Sequence, residues 1–239
     1  MERANQRYDE AASALRWWAE AGVDAMIDEG PRDWLRPKVA TAPVIAKTAE
    51  READELPAQL GLFQAWLKDS IALPFAAPAA PRVCPSGDPA SGLMIMADMP
   101  AHEDCASGTL LSGEAGRLFD RMLAAIGRDR ASIYLASLSC LRSPDGRFTS
   151  EAATQCATYA RHHIGLAAPR ALLLFGDACA KAMTGLSVAQ ARGRWHEIAT
   201  HSGPVKAIVT LPPDYLLKQP SAKAHAWADL QMLVEGLKA

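Results

Sequence analysis

No apolar run in this chain approaches the roughly 18 residues that mark a transmembrane helix, so no membrane-spanning segment is expected. A Cys-x-x-Cys pair is also absent. The five cysteines are an odd number, scattered from Cys84 to Cys179. That argues against a disulfide framework and for a reducing compartment. Met1–Glu10 are polar and charged, with no secretory apolar core, and a cytoplasmic protein is expected. A strong charge of one sign is missing too. A net charge of −2 is unusual for a protein that grips DNA over a broad face.

What is present is ordinary for a soluble globular protein. The 239 residues are 49% apolar and 22% charged. That length fits one α/β domain with an N-terminal extension, read here as a monomer. The charge is unevenly spread. Residues 1–116 hold 10 Lys/Arg against 18 Asp/Glu, and residues 117–239 hold 15 against 9. Two readings stand: a DNA-facing patch in the back half, or an ordinary solvated surface with uneven counts.

Residues 5–30 read as helix, with Leu15, Trp17, Trp18, Ala21, Val23, Met26 and Ile27 at helical spacing. Residues 31–54 read as a linker. The domain division is therefore 1–54, helix and linker, and 55–239, α/β domain. Trp17 and Trp18 either pack onto the domain or serve a protein partner. A short helix is expected over 55–69. Residues 74–91 carry five prolines, too many for regular structure, and read as a wrapping loop.

From Gly92 the pattern alternates. Strands are expected at Leu93–Ala97, Ile133–Leu138, Ala171–Phe175 and Val205–Thr210. Helices are expected at Gly113–Gly127 with Gly127 closing it, from a Ser150 N-cap to Ala167, at Gly176–Met183, and after a Ser221 cap. Such alternation means a three-layer α/β sandwich, a central four-stranded parallel sheet flanked by helices. Ligands bind outside the carboxyl ends of such strands. The loops after Ala97, Leu138, Phe175 and Thr210 should line one site.

Two stretches carry a family resemblance. The apolar Leu93–Ala97 runs into Asp98-Met99-Pro100-Ala101, and Thr210-Leu211-Pro212-Pro213-Asp214-Tyr215-Leu216-Leu217 lies near the other end. The chain resembles the uracil-DNA glycosylase superfamily, iron–sulfur (family four) type. There the first stretch ends in Gly-Glu-Ala-Pro-Gly and the second reads Thr-x-His-Pro-x-Tyr-Leu-Leu. The segment Gly113–Gly127, Arg192-Gly193-Arg194-Trp195 and Ala226-Trp227-x-Asp229-Leu230 extend the resemblance over most of the chain.

The resemblance implies excision of a flipped-out base. A carboxylate near the sugar and a donor near the departing base oxygen would do the chemistry. In this chain the family's Glu position is Asp98. The stacking Phe falls on Leu111, the edge-reading Asn on Ser137 and the His on Pro212, with Pro100 in the same loop. None is unchanged. The reading is a catalytically degenerate glycosylase retaining a DNA- or partner-binding role. The alternative is an active glycosylase of weak or altered base specificity, using Asp98, Ser137 and Asp214.

For DNA contact the resemblance points to Tyr215, Leu216 and Leu217 as an apolar wedge beside Lys218, with Arg142 and Arg147 flanking the loop after the second strand. The other reading is that Tyr215–Leu217 start a short helix and pack. The family's cluster needs four thiolates, two from a Cys-x-x-Cys. Here Phe63-Gln64-Ala65-Trp66 stands at the F-x-x-C position, Cys156 at the fourth ligand's place and Cys140 one residue from the third. No metal or cofactor is expected. Cys156 and Cys179 read as buried hydrophobes, Cys105 as part of a polar loop, and His162 and His163 as surface or packing residues.

Overall fold

A computed structural model describes residues 56–238. The helix expected at 5–30 and the linker at 31–54 lie outside the described residues. The described elements are α1 (Leu60–Asp69), β1 (Ser86–Gly87), β2 (Leu93–Ala97), α2 (His102–Ser107), α3 (Gly113–Ala125), β3 (Tyr134–Ser137), α4 (Ser150–Ala167) and β4 (Ala171–Phe175). They continue with α5 (Asp177–Thr184), α6 (Val188–Ala191), β5 (Trp195–Thr200), β6 (Gly203–Thr210), α7 (Pro213–Lys218) and α8 (Lys223–Lys238). No described helix is long and apolar enough to cross a membrane.

The four expected strands form the parallel centre, in the order β3-β2-β4-β6. Two antiparallel edges extend it to six: β1 on β3 and β5 on β6. The central strands are apolar almost throughout because helices cover both faces. On β2, Met94 and Met96 face one core with residues of α4 and α5, among them Cys156, Ile164 and Cys179. Leu93 and Ile95 face the other, with Phe119 and Leu123 of α3 and Leu230 and Leu233 of α8. The chain leaves β2 for β3 on one side and then for β4 on the other. The boundary between β2 and β4 is therefore a topological switch point, where a crevice opens at the strand ends.

Local caps differ from expectation. Thr149, not Ser150, caps α4, its Oγ1 accepting from Ala152 N at 3.2 Å. Ser221 lies inside a 3-10 turn (Pro220–Ala222) that precedes α8. Residues 102–107 form α2 where a polar loop was expected, leaving Cys105 half-buried.

His163 is fully buried at the junction of α1, α4 and β3. The Tyr134 hydroxyl accepts from Gln64 Nε2 at 2.7 Å and sits 2.7 Å from His163 Nε2. If its own proton goes to Nε2, His163 carries its hydrogen on Nδ1. Burial, with a smaller contribution from neighbouring His162, pushes the His163 pKa down to about 3. An unfolded histidine titrates near 6.5. Between those values the unfolded chain binds a proton that the folded chain refuses, so this contribution is complete above pH 6.5 and is lost as pH falls. The expected slope is at most about 1.4 kcal/mol per pH unit. Denaturant unfolding of wild type and His163→Gln at pH 7 and 5 measures it by difference. The gap between the two curves should narrow at pH 5; a constant gap would contradict a neutral buried imidazole.

Candidate functional site

Asp98 leaves the end of β2 at the switch point. Its loop is fixed to the loop after β3 by Leu138 N donating to Ala97 O at 2.8 Å and Ser139 N to Asp98 O at 3.2 Å. The carboxylate reaches across to the start of α5. Oδ1 accepts from Cys179 N at 2.7 Å and Oδ2 from Ala178 N at 3.3 Å. The N-cap position of α5 is Gly176, with no side chain to satisfy those amides, and Asp98 performs the cap from a distance. Burial raises its pKa, the two amides oppose that, and the nearby charge of Asp177 adds to it.

Among the described residues, none of the other family positions hydrogen-bonds to the Asp98 carboxylate. Leu111 is half-buried at φ 52° and packs against the α3–α8 core. Its carbonyl accepts from Arg130 Nη2 at 2.6 Å. Ser137 ends β3, and its Oγ is buried without a hydrogen-bond partner among the described residues. It lines a small cavity of about 20 Å³ with Phe63, Cys140, Cys156 and His163. Pro212 occupies the N-cap of α7 and offers no donor. Pro100 is buried, and its carbonyl accepts from Arg142 Nη1 at 2.9 Å. Arg142 is thus tied into the first loop.

A larger groove, about 910 Å³, opens beside Asp98. Asp98 and Met99 line it from β2, Gly146–Ser150 from the loop after β3, and Asp177, Ala178 and Lys181 from α5. Three of the four expected loops therefore share one surface; the loop after Thr210 does not line it. Arg147 lies here as a groove cation. Arg161 and Lys181 join it and were missed from the sequence. The signal was available, since Thr154, Thr158 and Arg161 share one face of α4 at helical spacing.

On α7, Tyr215 and Leu217 are 43% and 37% exposed, and Lys218 is exposed. Leu216 corrects the wedge reading. It is 1% exposed and packs with Leu118 and Ala226. Only Tyr215 and Leu217 can present apolar surface.

The cysteines do not fit an iron–sulfur cluster. All five lie among the described residues, where no three Cys, His, Asp or Glu side chains converge. Burial pushes the Cys140 thiol up to about 12 and the Cys156 thiol up to about 11. Cys140 donates its thiol to Leu67 O at 3.6 Å. Phe63, Leu67, Leu73, Cys140 and Leu141 form an apolar core there, with Trp66 and Tyr159 packed on it. Cys179 is buried beneath Asp98, a packing role as expected.

Relatives place this geometry. A type-4 uracil-DNA glycosylase of Pyrobaculum aerophilum is 24% identical over 157 residues, covering 63% of this chain and 80% of that protein. A type-4 uracil-DNA glycosylase of Archaeoglobus fulgidus is 22% identical over 156 residues, covering 62% and 78%. Residues 84–231 match the Uracil DNA glycosylase superfamily. That span takes in the whole parallel sheet, Asp98 and α7, and this chain belongs to the uracil-DNA glycosylase superfamily.

Proposed function

We propose that this chain is a DNA-binding module of DNA repair, built on the glycosylase fold and without uracil excision. One observation carries the reading: the single carboxylate at the family's acidic position is held by the first amides of α5. A carboxylate so engaged is poorly placed to stabilise a sugar cation or orient water. The remaining positions support this. Pro212 has no proton to give a departing base. Ser137 faces a cavity with room for about one water, not for a pyrimidine. Losing one such donor costs about 2.7–4 kcal/mol of transition-state stabilisation. The family acts on DNA, and exposed Tyr215, Leu217 and Lys218 on α7 give an apolar tip beside a cation suited to a base step.

A second reading has its own observation. Asp98 lines the large groove, and burial raises its pKa. Those are properties of a general acid or base, and they favour a glycosylase of weak or altered base specificity.

Gel-shift titration of wild type, Asp98→Asn and Lys218→Glu on a DNA duplex tests the module. Asp98→Asn should bind like wild type. Lys218→Glu should bind several-fold more weakly, with the salt slope reduced by about 1. Equal affinity for all three would count against DNA contact through α7. No binding by wild type would leave a protein partner as the remaining occupant.

A further inference from the structure

We infer that Arg192, Asp229 and Thr210 are positioning residues for α7: an ion pair and one buried hydroxyl fix the helix that the proposed DNA contact uses. The consequence for binding rests on the reading as a DNA-binding module; the anchor itself rests on geometry. Three segments distant in sequence meet here: Arg192-Gly193-Arg194-Trp195 after α6, the last residue of β6, and Ala226-Trp227-x-Asp229-Leu230 on α8. Asp229 and Thr210 are fully buried. The Thr210 hydroxyl donates to Asp229 Oδ2 at 2.7 Å. Arg192 Nη2 donates to Asp229 Oδ2 and Oδ1 at 3.1 and 3.2 Å, and to His225 O, one turn earlier on α8, at 2.7 Å. A buried carboxylate is costly unless its oxygens are engaged, and here both are. Away from water such bonds are strengthened, so the three side chains are held to one arrangement.

The network reaches α7 through what flanks Thr210. The Thr210 carbonyl accepts from Gly176 N at 3.3 Å, and only Leu211 and Pro212 separate this residue from α7. The 6 residues of α7 make fewer than two turns, too few for a helix to hold itself together in water. The direction of Tyr215 and Leu217 is therefore set from outside. Thr210 sets it at the entry. Leu216 sets it midway, packing with Leu118 of α3 and Ala226 of α8. Ala226 and Asp229 lie three residues apart on one buried face of α8. One turn of α8 thus supplies both the anchor for the entry and the floor under the helix, and Arg192 braces that turn from His225 to Asp229. Releasing the Thr210 hydroxyl frees α7 to shift while the central strands stay packed.

Removing Arg192 or Asp229 would strand a buried charge and threaten the fold, so Thr210 is the residue to change. Thr210→Val keeps the branched shape and deletes the donor; Thr210→Ser keeps the donor. Native-state hydrogen exchange on the full chain reads the anchor without DNA. In Thr210→Val the amides of residues 215–219 should exchange about tenfold faster than in wild type, as expected for losing one hydrogen bond to a charged group. The amides of β4 should keep their wild-type rates, and Thr210→Ser should restore wild-type exchange in α7. In a gel-shift on a DNA duplex, Thr210→Val should bind several-fold more weakly and Thr210→Ser like wild type. Unchanged α7 exchange in Thr210→Val, an equal rise in α7 and β4, or no rescue by serine would each overturn the anchor. Faster α7 exchange with unchanged DNA affinity would overturn its role in binding. No DNA binding by wild type would overturn the module reading, and the exchange rates would still decide the anchor.

Discussion

Replacing Phe63 with alanine should destabilise the protein by about 3–5 kcal/mol, enough to unfold much of a marginally stable domain at ambient temperature. Phe63 is fully buried at the centre of the α1 core. Its ring stacks on Trp66 at 5.5 Å and meets His162 and His163 at 5.1 and 5.2 Å. It also lines the small cavity under Ser137, so truncation enlarges an existing void instead of letting the walls collapse. The same aromatic contacts fasten α1 to α4. Urea unfolding followed by circular dichroism should show a lower midpoint with an unchanged m-value. A loss under about 1 kcal/mol would mean that α1 contributes little to holding the fold.

Gly176→Ala should cost about 2–5 kcal/mol, combining backbone strain and overpacking. Gly176 has φ 94° and ψ 170°, a region essentially reserved for glycine. A Cβ there would also run into the Asp98 carboxylate. Either α5 shifts or Asp98 abandons its cap, and each loses the two amide hydrogen bonds. A double-mutant cycle separates the causes. In an Asp98→Ala background the clash is gone and only the φ strain remains, so the glycine substitution should cost markedly less. Equal costs in both backgrounds would show that Asp98 and Gly176 are not coupled.

These two sites show what the sequence can reveal and where it stops. The four parallel strands were legible because burial on both faces makes each a short apolar run, as in Ala171–Phe175. The edge strand β5 was not, since Trp195–Thr200 is largely half-exposed and opens within the Arg192-Gly193-Arg194-Trp195 motif. It joins β6 through a hairpin at Ser202-Gly203, with Gly203 at φ 118°, a turn signal that the sequence reading did not use. At the site, Asp98 was identified through the resemblance, as the family's Glu position, but its partners lie about 80 residues further along, and no local pattern encodes such a contact. For Leu216 the linear motif left wedge and packing both open. On α7 it shares a helical face with Pro213, and both are buried. Ser137 was expected inside a strand over Ile133–Leu138 and instead ends β3; that it lines a small cavity depends on residues of α1 and α4 such as Phe63 and His163.

The central claim is that this glycosylase fold binds DNA and does not excise uracil. Incubation with single- and double-stranded oligonucleotides carrying one uracil tests it most directly, scoring strand cleavage after alkali beside a gel-shift, with an authentic glycosylase as control. The expected result is a shifted complex with cleavage no greater than that of Asp98→Asn. Cleavage clearly above that background would contradict it, and would show that Asp98, despite its hold on α5, still serves an active pocket.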